Sequence, residues 1–247
     1  MPNQTRIAII PADHVTATTY PAASPTAGQP RLILAHGAGG SQASPFMVQF
    51  ATALAAREIG TLTFNFLYSE SGRRLPDRGD KLEACYRAII RAVRDGAFDK
   101  SLGGGGGSLI IGGKSMGGRI ASQVAAADGP GSEADAVAGL LFLGYPLHPP
   151  GRPEVPRTKH LPAIRAPMLF VQGSNDAFGT PEELRPVFRG LKAPADLCVI
   201  EGGDHSWKVP KSAGRSQAEV FDFALDAIEA WLRQRILGKP AGGKGRA

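Results

Sequence analysis

The chain has 247 residues, 43% of them hydrophobic, and carries 28 Lys and Arg against 22 Asp and Glu for a formal charge of +6. That length suits one α/β domain whose core needs neither metal nor disulfides, and two cysteines, Cys85 and Cys198, cannot build a disulfide framework. The most apolar stretch, Ala136 to Tyr145, contains glycines and falls far short of the roughly 20 residues of a membrane span, and the early Ile-Ala-Ile-Ile run is too short for a secretory signal.

In chain order, Arg6–Ile10 and Val15–Thr19 predict a short edge hairpin. Leu32–Ala35 reads as a buried strand stopped by His36-Gly-Ala-Gly-Gly40. Phe46–Arg57 has apolar residues at helical spacing, and Thr61–Phe66 is a β-branched and aromatic strand. Asp80–Arg94 predicts a helix with Leu82, Cys85, Tyr86, Ile89, Ile90 and Val93 inward and a basic outer face. Gly103–Gly107 is expected to be a surface loop before the strand Ser108–Gly112 and the helix Arg119–Ala127. Ala136–Leu143 and Met168–Gln172 are strands, Pro181–Gly190 a short helix, Leu197–Ile200 the last strand and Ser216–Leu237 a closing helix.

Strands separated by helices predict βαβ units in a mostly parallel, doubly wound sheet with helices on both faces. Residues 1–237 are expected to form one domain, and 238–247 a basic tail. Residues 232–247 hold five bases and no acid, so most of the net charge belongs to this end. No nucleic-acid partner is expected on that basis, and a soluble cytoplasmic protein is.

Gly113-Lys114-Ser115-Met116-Gly117 stands directly between a strand and a helix. A serine there sits on a tight turn that exposes its oxygen at the end of the sheet, the nucleophile elbow of α/β-hydrolases. Gly113-Lys114-Ser115 also matches the end of a phosphate-binding P-loop. The register, however, places Ser108 where that motif needs its first glycine, and the spacer Leu109–Gly112 is strand where a P-loop needs a phosphate-wrapping loop.

A serine nucleophile needs a base, and the base needs an orienting acid. In α/β-hydrolases the acid and then the histidine follow the serine along the chain. Of the five histidines, His205 follows the last strand in Glu-Gly-Gly-Asp-His-Ser-Trp; His14 and His36 precede the serine, and His148 and His160 lie before the seventh strand. Asp176 follows that seventh strand in Gln-Gly-Ser-Asn-Asp, whereas Asp204 is too close to His205 in sequence to reach its Nδ1. Ser115, Asp176 and His205 are therefore the expected triad. The oxyanion donors are expected to be the backbone N–H groups of Met116 and of the 36–40 loop, where Ala38 is chosen over Gly37 or Gly39. His36 is expected to brace that loop.

With His36-Gly37, the Ser115 elbow, Gly173-Ser-Asn-Asp176 and Gly203-Asp-His205, the chain resembles the α/β-hydrolase superfamily over nearly its whole length. Ala35-His-Gly-Ala-Gly-Gly, Gly-Lys-Ser-Met-Gly-Gly-Arg and Gly-Tyr-Pro-Leu-His-Pro resemble the branch of testis-expressed-protein and NSL-complex-subunit-3 homologues, close to dienelactone-hydrolase-like proteins. The superfamily resemblance implies a Ser-His-Asp hydrolase without a cofactor or metal. The branch implies no particular substrate, and some of its members are better regarded as interaction proteins. Dienelactone hydrolases proper use a cysteine nucleophile, so their reaction does not carry over to Ser115.

The expected activity is cleavage of small carboxylic esters or thioesters; the alternative is a non-catalytic interaction module that retains the fold. Between the sixth and seventh strands, residues 146–162 contain six prolines, which disfavours a helical cap and predicts an open pocket. Three loops at the expected mouth, 67–78, 147–165 and 201–215, carry ten Lys and Arg against five Asp and Glu, which points to an anionic substrate.

Overall fold

A computed structural model describes residues 2–10, 13–24, 26, 28–102, 106–127 and 133–238. Residues 103–105 of the glycine run and residues 239–247 of the expected tail lie outside these. Strands β1 (Asn3–Ile10), β2 (Asp13–Tyr20) and β3 (Arg31–Ala35) precede helix α1 (Pro45–Ala56) and strand β4 (Gly60–Phe64). Helices α2 (Leu67–Glu70), α3 (Gly79–Arg94) and α4 (Asp99–Leu102) lead to β5 (Leu109–Lys114) and α5 (Met116–Ala125). Then come β6 (Val137–Leu143), β7 (Met168–Gly173), α6 (Pro181–Phe188), β8 (Ala195–Ile200) and α7 (Gln217–Trp231).

The eight strands form one sheet in the order β1-β2-β4-β3-β5-β6-β7-β8. β1 pairs antiparallel with β2, and β2 antiparallel with β4; every pairing from β4 to β8 is parallel. Parallel strands are buried on both faces, and β3 shows why its sequence is continuously apolar. Leu32 and Leu34 face a core shared with α1 and α7, while Ile33 and Ala35 face a core shared with α3 and α5. α3 turns Leu82, Cys85, Tyr86, Ile89, Ile90 and Val93 inward, the face its periodicity predicts. The Tyr86 hydroxyl accepts the Gly112 N–H at 3.0 Å and lies 3.1 Å from the Ile33 oxygen, so α3 is pinned across β3 and β5.

From β3 the chain moves outward to β4 on one side, then returns to β5 on the other. Such a reversal opens a crevice beyond the carboxyl ends of the two central strands. The 36–40 loop leaves β3 there, and Ser115 leaves β5 there.

Observed and expected elements differ in places. α5 begins at Met116 rather than Arg119, because the elbow feeds the helix directly. The closing α-helix ends at Trp231 and continues as a π-helical turn, Leu232–Ile236. Two single-turn helices, α2 and α4, carry too few residues to show a period. Between β6 and β7 the segment forms only a 3₁₀ turn, Leu161–Ala163, so no cap covers the crevice among the described residues. None of the described helices is long and apolar enough to cross a membrane.

Candidate active site

Ser115 has φ 50° and ψ −116°, a conformation that a non-glycine residue holds only when its surroundings impose it. The imposition comes from close packing: a Cβ on Gly117 would lie 2.6 Å from the Ala35 carbonyl carbon and 2.7 Å from the His36 oxygen. The elbow can therefore sit directly against β3, with the side chain of Ser115 turned towards the crevice.

His205 Nε2 lies 2.8 Å from Ser115 Oγ. Its Nδ1 lies 2.9 Å and 2.8 Å from the two oxygens of Asp176, which is only 1% exposed. These three side chains, 90 and 29 residues apart along the chain, thus form one continuous hydrogen-bonded line. Asp204 does not face the imidazole; its Oδ1 accepts the N–H groups of Ser206 (2.7 Å) and Lys208 (3.0 Å) and closes the turn that carries His205.

Several residues that hold this line escape pattern reading. Gln172, wholly buried, donates to Asp176 Oδ2 at 2.8 Å and to the Gly179 oxygen at 2.7 Å, while its Oε1 accepts the Tyr145 N–H at 2.8 Å. The Phe178 N–H gives Asp176 Oδ1 a second donor at 2.8 Å. Phe178 also lies against the imidazole, with ring centroids 4.2 Å apart. Trp207, wholly buried at φ 61°, anchors the histidine loop among Phe46, Phe50 and Phe221. A polar Gln ending the apolar run Met168–Val171 was the one sequence signal for such a role.

Lys114 donates its Nζ to the His205 carbonyl oxygen. Burial pushes its ammonium down to about 8, against the opposing pull of Asp176 and Asp204. Burial also lowers the pKa of His36, which braces its loop from both ring nitrogens: Nε2 accepts the Phe66 N–H at 3.2 Å, and Nδ1 donates to the Gly37 oxygen at 2.8 Å. That carbonyl also accepts from Gly40 N–H at 3.2 Å. With the Gly37–Ala38 peptide trans, the Ala38 N–H points opposite to the Gly37 carbonyl, away from His36.

Gly37, Ala38, Ser115, Met116 and His205 line one cavity of about 520 Å³. A second, of about 360 Å³, shares Gly37, Lys114 and Ser206 with it and continues to Phe46, Met47 and Phe221. The loop charges differ from their expected arrangement. Arg73, Arg78 and Arg152 are tied to Asp77, Asp80 and Glu154, and of the ten loop bases only Arg157 lines the larger cavity. Positive charge at the cavity comes instead from Arg157 together with Lys114 and Arg119, which belong to β5 and α5. Among the described residues, no group of three or more His, Cys, Asp or Glu is arranged to hold a metal ion.

Residues 28–233 match the family described as an alpha/beta hydrolase domain, and the chain belongs to that family. Among solved structures it is similar to a dienelactone hydrolase from Anabaena variabilis, at 17% identity and TM-score 0.72 over 96% of this chain and 98% of that one. It is also similar to esterase 2 of Thermogutta terrifontis, at 19% identity and TM-score 0.73 over 98% of this chain and 96% of that one. A third relative in fold is an α/β serine hydrolase without a lid from Xanthomonas campestris, at 19% identity and TM-score 0.68 over 97% of each chain. At such identities the likeness is one of fold.

Proposed function

We propose that the chain is a serine hydrolase of small carboxylic esters or thioesters, a soluble cytoplasmic enzyme that needs no cofactor. The observation that carries this is the line from Ser115 Oγ through both nitrogens of His205 to the buried Asp176 carboxylate. His205 Nε2 takes the serine proton as Oγ attacks the carbonyl carbon. Asp176 accepts the Nδ1–H, selects that tautomer and stabilises the imidazolium.

The tetrahedral oxyanion is held by the N–H groups of Met116 and Ala38. Met116 is the first residue of α5, so its N–H has no intrahelical partner, and the trans Gly37–Ala38 peptide turns the other N–H away from His36. Collapse releases the alcohol or thiol with the proton from His205. Water, deprotonated by the same imidazole, then attacks the acyl-enzyme and frees the acid and Ser115.

Three motifs support placing the chain in the testis-expressed-protein and NSL-complex-subunit-3 branch: Ala35–Gly40, Gly113–Arg119 and Gly144–Pro149. The Thermogutta esterase is phosphoramylated by tabun, and a phosphonylating probe is the corresponding test here. A fluorophosphonate should label the wild-type protein and leave Ser115→Ala unlabelled. Absence of labelling in wild type would overturn the enzyme assignment in favour of an interaction module.

A further inference from the structure

The cavity beside Ser115 is lined by two arginines that no carboxylate of the described residues pairs with. Arg119 lies one turn along α5, and among the described residues its guanidinium makes one hydrogen bond, 3.3 Å to Gln123 Oε1. Arg157 projects from the β6–β7 segment, and its backbone is fixed from both sides. Its N–H donates to the Leu147 oxygen at 2.7 Å, and its carbonyl accepts the hydroxyl of the buried Tyr145 at 2.9 Å. Its place on the wall therefore belongs to the packed fold.

Partial burial and then the charge of Arg119 hold the Arg157 guanidinium below its ordinary pKa, so the two groups act on each other. The one acidic residue lining the same cavity, Asp77, has its Oδ1 bound by Arg73 at 2.8 Å and its Oδ2 buried without a partner among the described residues. Lys114 is turned to the His205 carbonyl. Two neighbouring like charges in a partly dry cleft repel, and an anion between them removes the repulsion. Guanidinium forks match the planar, two-oxygen geometry of a carboxylate.

We propose that Arg119 and Arg157 form a carboxylate subsite, so that the substrates are esters or thioesters bearing a free carboxylate, such as half-esters of dicarboxylic acids. The inference rests on the hydrolase proposed above and names its substrate class. For a half-ester, water supplies the new carboxyl oxygen, the acyl C–O bond breaks, and the products are the dicarboxylate, the alcohol and a proton. The carboxylate between the guanidinium groups takes no part in the chemistry; it positions the scissile carbonyl over Ser115.

The test compares kcat/KM for mono-4-nitrophenyl adipate and 4-carboxyphenyl hexanoate with that for neutral 4-nitrophenyl hexanoate, in wild type and in the Arg119→Met/Arg157→Met variant. On at least one carboxylated ester the double variant should lose ten-fold or more relative to its change on the neutral ester. Which ester responds reports whether the acyl or the alcohol limb carries the anion. In parallel, calorimetric titration of Ser115→Ala with mono-4-nitrophenyl adipate and with 4-carboxyphenyl hexanoate should give at least one dissociation constant ten-fold or more below that of Ser115→Ala/Arg119→Met/Arg157→Met. Equal changes on all three esters, together with equal binding, overturn the subsite and leave the hydrolase standing. If wild type cleaves no ester, the hydrolase falls and the titration alone decides the subsite.

Discussion

Gln172 is the point at which stability and the proposed chemistry meet. Gln172→Glu keeps the shape of the side chain and the oxygen that accepts the Tyr145 N–H, but replaces the nitrogen that donates to Asp176 Oδ2 at 2.8 Å and to the Gly179 oxygen at 2.7 Å. Each buried group left without its partner costs about 1–3 kcal/mol. Two such groups make a loss of about 4 kcal/mol, which for a chain of this size lowers Tm by about 10 °C.

The pH dependence has a definite sign. Burial beside Asp176 raises the folded-state pKa of the new carboxyl above its unfolded value of about 4.3, so above that pH the unfolded chain has released a proton that the native state still holds. Stability relative to wild type must then fall as pH rises, until the folded-state pKa is passed. Thermal melts of both proteins at pH 5 and pH 8 check this: the Tm deficit should be larger at pH 8, and kcat should fall as the carboxylate loses its orientation. A variant that melts within about 2 °C of wild type at pH 8 with unchanged kcat would refute the role assigned to Gln172.

Asp176→Asn should lower kcat by about 10⁴-fold with little change in KM, the size that this change has in a serine-protease triad, measured as steady-state ester hydrolysis. Gly117→Ala drives a Cβ to 2.6 Å from the Ala35 carbonyl carbon; it should cost about 3 kcal/mol in denaturant unfolding and abolish fluorophosphonate labelling. Lys114 loses its proton in the native state near pH 8 but in the unfolded chain only near 10.4, so native stability gains from this group as pH rises between those values. Lys114→Met should remove that gain, seen as a Tm difference from wild type that changes across the window. With no cap over the crevice among the described residues, short or compact acyl esters should be cleaved best, and rates should show no jump when a triacylglycerol passes its solubility limit.

The sequence by itself determined the layout of strands and helices. Parallel strands buried on both faces are written as continuous apolar runs such as Leu32–Ala35, and α3 carries a clear 3.6-residue stripe. It also marked Ser115, because a glycine-flanked serine between a strand and a helix is a local pattern. Asp176 and His205 were legible only as candidates after successive strands; their meeting depends on β7 and β8 ending side by side.

What the tertiary structure alone decided is the support around them. Gln172, Trp207 and Tyr145 act through contacts with residues distant in sequence, and a single chain read in order carries no record of such contacts. Which residues bring positive charge to the cavity was hidden from the sequence for the same reason. Counting loop residues could not reveal that Arg73, Arg78 and Arg152 lie against acids of their own surface while Arg119, on a helix, lines the cavity beside Ser115. Composition fixes how many charges a segment holds, but packing fixes which of them face the site and which are paired elsewhere.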